Sequence, residues 1–161
     1  MGNYTLARVL HVLGVVLWIG GVAMVTTVLI PAIRKMKSKE EQIETFEKIE
    51  PGFALQAKIT TLVTGLSGFY MLFYLDAWHR YTQIQFWWIP AMTIVWVIFT
   101  LVLFVFEPFF LHRLFKKYAE RDAARTFAFV HRLHWVLLIL SLVTIAGAVA
   151  GSHGWFLIGT G

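Results

Sequence analysis

A few ionisable and sulfur-bearing side chains lie inside the long apolar stretches of this sequence, where such groups are costly and need a partner. His11 lies in the first stretch, about 7–8 Å from its outer end at the rise of an α-helix. Met71 and Met92 fall at a similar depth on the second and third stretches. Imidazole and thioether groups at one depth suit haem iron or Cu(I). We therefore expect His11 to bind a cofactor or metal ion, with the two methionines as candidate metal ligands.

A second group of histidines lies near the opposite ends of the stretches. His134 is about as far into the fourth stretch as His11 is into the first, and His131 precedes it by one helical turn. His112 ends the third stretch at the same boundary. We expect His134 to bind a cofactor or metal ion, with His131 and His112 as further candidate cofactor ligands. Ser141 continues the helix face that His134 begins.

Two opposite charges also fall inside apolar stretches. Lys58 and Glu107 lie at comparable depths on the second and third stretches, which predicts a buried ion pair. Glu107 has no second carboxylate beside it, and no nucleophile–base–acid triad or glycine-rich phosphate loop is present in the sequence. The chemistry of these residues therefore disfavours hydrolysis. The sequence contains no cysteine, which excludes disulfides and thiolate metal sites.

The elements that must position these residues follow from composition. The 161 residues are 58% hydrophobic and 14% charged, against about 45–50% and about 25% in soluble domains. Four apolar stretches have the roughly 20 residues that a helix needs to cross the hydrocarbon, and barrel-type alternation is absent. They are Leu6–Ile33, Phe53–Leu75, Phe86–Leu111 and Phe127–Ala150. We predict an all-α integral membrane bundle of four transmembrane helices, near 5–33, 53–76, 86–116 and 124–151, as a single domain over 1–161.

The distribution of Lys and Arg predicts the orientation. The first and third connections, with the adjoining helix ends, each carry six basic residues, whereas the second carries only Arg80. The positive-inside rule then places both termini outside the cytoplasm. We expect a multi-pass protein of a bacterial inner membrane. The formal charge of +5 serves this orientation rather than binding to nucleic acid.

The first connection has a helical pattern of its own. Ser38 and Glu41 form a capping-box pattern, and apolar residues recur at helical spacing after them. Pro51 and Gly52 follow as a stop signal. We predict a short amphipathic helix near 39–50 on the cytoplasmic surface. Asp122 is a candidate cap for the fourth helix.

Small residues form stripes on two predicted helices. The second carries Thr61, Thr64, Gly65 and Gly68, and the fourth carries Ser141, Ala148 and Gly151. Such stripes allow close packing between helices in lipid. A glycine-lined groove also lets a flat porphyrin ring approach the backbone. Both interpretations stay open, and either stripe is a candidate surface for a homodimer.

Helix geometry limits how the histidines can combine. The first and fourth helices run antiparallel in the predicted topology, so the depths of His11 and His134 differ by roughly 15–20 Å. Two ligands of one iron must lie about 4 Å apart. One haem therefore cannot take both residues, and the sequence is compatible with one haem or with two haems at two levels.

Two motifs resemble known membrane families. The run His11-Val-Leu-Gly-Val-Val-Leu-Trp18-Ile-Gly20-Gly21 resembles the opening helix of the copper-resistance D (CopD-like) family and of the HemJ-like protoporphyrinogen oxidases. The segment His131-Arg132-Leu133-His134-Trp135 fits the same four-helix pattern. The HemJ-like resemblance implies b-type haem and a membrane oxidoreductase. The CopD-like resemblance implies copper uptake or tolerance. The resemblance implies a cofactor-binding role first for His11 and then for His134. Trp18, on the same helix face as His11, is a further candidate.

Three classes of function follow. The first is a haem b protein for electron transfer or haem handling, with a redox partner or a quinone. The second is a copper-binding or copper-transporting membrane protein. The third is a non-catalytic small subunit or assembly factor, whose polar groups only hold helices together. Membrane lipid is a partner in all three.

Overall fold

A computed structural model describes residues 2–156, apart from the side chains at 108–113 and 116. All regular secondary structure in this part of the chain is helical, which confirms the predicted all-α class. The long elements are α1 (Gly2–Met24), a first π turn (Val25–Leu29), α2 (Ile30–Arg34), α3 (Lys39–Tyr74), α4 (Trp88–Leu101), a second π segment (Val102–Leu111), α5 (His112–Arg121) and α6 (Ala123–Ser152). Two short 3₁₀ helices, Ala77–Thr82 and Ile84–Phe86, connect α3 to α4.

Three helices in the described residues are long and apolar enough to cross a membrane. They are Gly2–Arg34, Trp88–Glu107 and Ala123–Ser152. The C-terminal half of α3 is less apolar because hydroxyl and glycine residues interrupt its leucines and aromatic residues. Thr60, Thr61, Thr64 and Ser67 are all buried within the bundle. Large apolar side chains on the other face of α3 are exposed, with Leu66 at 71%.

Pro51 does not end a helix, so the predicted break between 39–50 and 53–76 is absent. A single helix, α3, runs through this position for 36 residues. Proline removes one backbone hydrogen bond and crowds the carbonyl one turn earlier, which normally breaks a helix. Here Phe46 anchors the preceding turns, with its ring centroid 4.5 Å from that of Phe115 and 5.7 Å from that of Phe127. Tertiary packing therefore overrides the local stop signal.

Two predicted caps are confirmed. The hydroxyl of Ser38 accepts a hydrogen bond from the backbone N–H of Glu41 at 3.1 Å, at the start of α3. The carboxylate of Asp122 accepts one from the backbone N–H of Arg125 at 3.0 Å, at the start of α6. Each satisfies an amide that the first turn of a helix leaves unpaired.

The contacts between helices show an antiparallel arrangement. Along α1, His11 meets Thr64 of α3 and Gly21 meets Phe53, so the residue numbers run in opposite directions. A central core combines α1, α4 and α6 through five buried residues: Trp18, Ile19, Val22, Phe99 and Leu138. A second buried cluster, formed by Ile33, Ala123 and Phe127, closes the end of the bundle near Phe46.

Three tryptophan rings lie directly over glycines of a neighbouring helix. A Cβ atom at any of these glycines would overlap the indole ring that covers it, so the helices approach closely where the glycines lie. The pairs are Gly65 with Trp96, Gly147 with Trp87, and Gly151 with Trp88.

Both π segments are associated with proline. Pro31 follows the first π turn within α2, and Pro108 lies inside the second π segment. Proline supplies no amide and crowds a carbonyl of the preceding turn, and the wider π register accommodates that crowding. Such π segments occur frequently at functional sites.

Candidate functional site

The imidazole of His11 is tied to the backbone of α3. Its Nδ1 lies 2.9 Å from the carbonyl oxygen of Thr64 and 3.4 Å from the hydroxyl of Ser67. A carbonyl can only accept, so Nδ1 carries the proton and donates it to Thr64. Nε2 is then the unprotonated nitrogen of the neutral ring, and its lone pair is available to a ligand.

An open groove lies close to this histidine and is lined by its helix neighbours Ala7 and Leu10. It has a volume of about 420 Å³ and lies between α1 and α3. Its walls are mainly apolar and include Leu6, Leu10 and Leu66, while Ser67, which contacts His11, also lines it. We refer to it as the outer groove. Ser67 links the groove to His11, which does not itself line it.

The two glycines of the predicted porphyrin groove are covered by side chains of this protein. Trp96 lies over Gly65, and its indole N–H donates to the carbonyl of Thr61 at 2.9 Å. The ring of His11 lies against Gly68. Gly65 therefore serves close packing between helices, whereas Gly68 provides the space that the ring of His11 occupies.

Neither predicted methionine takes part in the hydrogen bonds of His11. Met71 and Met92 are both half-buried, and the partners of His11 are Thr64 and Ser67 instead. The described residues include no group of three or more His, Asp or Glu side chains with a geometry that holds a metal ion. Copper binding at this level remains a prediction from the sequence.

Trp18 belongs to the central core. It is 4% exposed, and its ring meets Phe99 edge-on with centroids 4.9 Å apart. Its indole N–H is buried without a hydrogen-bond acceptor among the described residues. Trp18 thus lies on the bundle side of α1, at a depth between the two histidine levels.

His134 has the same pattern of nitrogens as His11. Its Nδ1 lies 2.9 Å from the carbonyl oxygen of Val130, one turn earlier in α6, so Nδ1 carries the proton and Nε2 is bare. The residue is half-buried and shares a helix face with the buried residues Leu138 and Ser141. Ser141 itself is 2% exposed and donates to the carbonyl of Leu137 at 2.8 Å, so it serves packing.

His131 differs because both of its nitrogens have partners on another element. Nε2 lies 2.9 Å from the carbonyl oxygen of Thr26, and Nδ1 lies 3.2 Å from a guanidinium nitrogen of Arg34. The indole nitrogen of Trp135 also approaches Nε2, at 3.0 Å. An imidazole with both nitrogens engaged has no lone pair left for iron. Of the two inner candidates whose side chains the structure describes, His134 keeps its Nε2 available; the side chain of His112 lies outside the described residues.

The two available imidazoles lie at separate levels. His131 bonds to Thr26, and His134 follows it by one turn on an antiparallel helix, which sets His134 near the depth of Ala23. Twelve residues of α1 separate that depth from His11, which corresponds to about 18 Å. The distance is far larger than the roughly 4 Å between two ligands of one metal ion.

The predicted ion pair is present. Nζ of Lys58 lies 2.6 Å from Oε2 of Glu107, and the two side chains are 27% and 21% exposed. The pair joins α3 to the second π segment just before Pro108. It is partly rather than fully buried.

Sequence reasoning missed the backbone carbonyls that hold the histidines and the indole that covers Gly65. No side-chain pattern marks Thr64 or Trp96 as such a partner, because the contacts join residues that are distant in sequence. Pro31 is the one signal that was readable, since a proline late in an apolar helix leaves a carbonyl without its amide.

Comparison with protein-family models, with curated proteins and with solved structures finds no match to this chain.

Proposed function

We propose that this protein is an integral membrane haem b protein that transfers electrons or handles haem. The observation that carries the proposal is the pairing of His11 with Thr64, which commits Nδ1 to a backbone carbonyl and leaves Nε2 as a bare donor. Histidine ligands of metals characteristically donate their other N–H to a carbonyl or carboxylate in this way. His134 has the equivalent arrangement with Val130.

These residues fit the donor set that haem iron takes from histidine, and the outer groove beside His11 supplies apolar walls. Bound haem would supply one-electron redox chemistry. The protein's own part is to hold each ring. The Thr64 carbonyl fixes the tautomer of His11, Gly68 supplies the space for its ring, and the carbonyl of Val130 fixes the tautomer of His134.

The separation between levels favours two haems, one near each face of the membrane. Each level offers one imidazole with a bare Nε2, and about 18 Å of helix rise divides them. Two centres at these depths would carry electrons between the outer and inner halves of the bundle. A redox partner or a quinone would then exchange electrons at either face.

We further propose that α3 is the fourth transmembrane helix. Its polar residues Thr61, Thr64 and Ser67 are buried inside the bundle, while Leu62 and Leu66 are exposed where lipid would lie. The excess of Lys and Arg in the first and third connections supports an orientation with those connections in the cytoplasm and both termini outside. A bacterial inner membrane is the location we propose. The motifs at His11 and His131–His134 support membership of the CopD-like and HemJ-like group.

One alternative is favoured by a specific observation. His11, His131 and Trp96 each donate to a backbone carbonyl on another helix, as polar residues do when they only hold a bundle together. A non-catalytic small subunit or assembly factor would need no more than this.

Absorption spectroscopy of the detergent-solubilised protein, expressed with ample haem supply, tests the proposal. We expect a Soret band and about two haems per chain. The variants His11→Leu and His134→Leu should each lose about half of the bound haem. His153→Leu is the matched control, because His153 also bonds to the carbonyl four residues earlier, at 2.8 Å, but is exposed at the end of α6. The absence of a Soret band in the wild type would reject haem binding.

A polar substitution separates the two readings of His11. In His11→Asn the amide retains a donor for the Thr64 carbonyl but offers iron a poor ligand. Haem binding predicts that this variant stays folded and loses the outer haem. A purely structural role predicts that His11→Asn matches the wild type in both stability and spectrum.

A further inference from the structure

We infer that His131 supplies the hydrogen-bond donor that Pro31 lacks, and that this bond positions α6 against α1. This bond belongs to the fold itself and does not depend on a bound cofactor. We extend the inference to His134, one turn along α6, and this extension rests on the function proposed above.

The carbonyl of Thr26 has no partner within its own helix. In an α-helix it would accept from the amide of Ile30, but in the first π turn that amide bonds to Val25 instead. In a π register it would accept from residue 31, which is proline and has no N–H. Thr26 is 0% exposed, so water cannot replace the missing donor. A buried carbonyl in this position requires a donor from elsewhere in the protein.

His131 is that donor. Its Nε2 lies 2.9 Å from the Thr26 oxygen, although 105 residues separate the two in sequence. Arg34, which can only donate, lies 3.2 Å from Nδ1, so Nδ1 must be the unprotonated nitrogen. Both contacts therefore require the same neutral tautomer, with the proton on Nε2.

That tautomer excludes one other contact. The indole N–H of Trp135 lies 3.0 Å from the same Nε2 and could bond to it only if Nε2 had no proton. Trp135 is 41% exposed, so its indole has room to turn away from Nε2. The buried Thr26 carbonyl has no such room. We assign the proton to the Thr26 bond for this reason.

The bond contributes to how α6 sits on α1. Together with the buried clusters around Trp18 and Phe127, the contact between the π turn and His131 sets the position of α6 at this level. His134 lies three residues further along, so a shift of α6 at this contact also moves His134. His131 is a positioning residue in this sense and does not itself bind the cofactor.

Nitrogen-15 NMR of the histidine side chains in the detergent-solubilised, haem-free protein tests the assignment directly. We expect His131 to be protonated on Nε2, whereas His11 and His134 are protonated on Nδ1. The contrast within one protein serves as the internal control. A His131 resonance typical of protonation on Nδ1 would mean that Nε2 accepts from the indole N–H of Trp135, and it would overturn the inference.

A double-mutant cycle tests the role of Pro31. His131→Leu leaves the Thr26 carbonyl unpaired, so we expect its Tm to fall by about 3–8 °C. His131→Gln keeps a donor, so its Tm should fall by less than half of that amount. In Pro31→Ala the chain regains a backbone amide for this carbonyl. His131→Leu should then cost at most half of its original loss. An equal loss in both backgrounds would contradict the inference.

The extension to His134 has its own readout. If two haems bind, His131→Leu should shift the spectrum or potential of the inner haem only, and His131→Gln should restore it. If no haem binds, the tautomer and the double-mutant cycle still decide the role of His131. An inner haem unchanged by His131→Leu would overturn the extension.

Discussion

The imidazole of His11 rests on the backbone of Gly68. A Cβ atom on this glycine would lie 3.1 Å from Cε1 of the ring and 3.3 Å from Nδ1, closer than most side chains tolerate. The glycine thus allows the ring to reach the Thr64 carbonyl, which is 2.9 Å from Nδ1. Any side chain at position 68 competes with that hydrogen bond.

Gly68→Val should therefore displace His11 more than Gly68→Ala does. A single methyl group requires the ring to give by a few tenths of an ångström, whereas the branched side chain fills the space of the ring. We expect haem occupancy at the outer level to fall several-fold in Gly68→Val and modestly in Gly68→Ala, as measured from Soret absorbance per protein. Gly20→Ala is the control, since no atom lies within 4 Å of a Cβ there. Full occupancy in Gly68→Val would contradict this role.

Lys58 and Glu107 should be coupled in stability. Removing one partner leaves the other charge partly buried without its counter-ion, so Lys58→Met or Glu107→Gln should each cost about 1–3 kcal/mol. The double variant removes both charges and should cost less than the sum of the two. Thermal unfolding in detergent measures all three variants. Strict additivity would show that the 2.6 Å contact contributes nothing to stability.

Gly151 should tolerate no side chain while Trp88 covers it. A Cβ there would overlap the indole ring, and the ring cannot move freely because it also stacks on Phe156 with centroids 6.2 Å apart. We expect Gly151→Ala to destabilise the protein by about 1–3 kcal/mol, measured by thermal unfolding. Gly52→Ala serves as the control, because the space beside that helical glycine is open. Trp88→Leu should relieve part of the loss in the double variant, and a lack of any rescue would refute the overlap as its cause.

The topology can be read by labelling single cysteines, since the sequence has none of its own. A membrane-impermeant maleimide applied to intact cells should label Gln83→Cys and His153→Cys. It should label Lys37→Cys only after permeabilisation, because the first connection is cytoplasmic in the proposed orientation. Labelling of positions 37 and 83 from the same side would show that α3 does not cross the membrane.

Local signals in the sequence predicted local structure well. The caps at Ser38 and Asp122 were readable because a cap joins residues only three apart, and both are confirmed. Long apolar runs identified α1, α4 and α6 because length and hydropathy suffice to recognise a spanning helix. Pro51 misled the prediction of the first connection, since the packing of Phe46 on Phe115 lies outside any local pattern.

For the candidate site, the sequence predicted only which residue types lie in the apolar helices and at what depth. Burying an imidazole in an apolar stretch costs free energy, and this cost indicated His11, His131 and His134 alike as residues that need a partner. Their different roles depend on which nitrogen finds a carbonyl, and the partners Thr64 and Thr26 are 53 and 105 residues away in sequence. Hydropathy and spacing contain no information on such partners, so His131 could not be separated from His134 beforehand.

The continuity of α3 joins distant parts of the bundle through one helix. At 1.5 Å per residue its 36 residues extend about 54 Å, well beyond a hydrocarbon thickness of about 30 Å. Phe46 and Thr64 thus belong to one helix with no loop between them. A tilt of α3 at the Phe46 end would therefore move the Thr64 carbonyl that holds His11, about 27 Å further along the same helix.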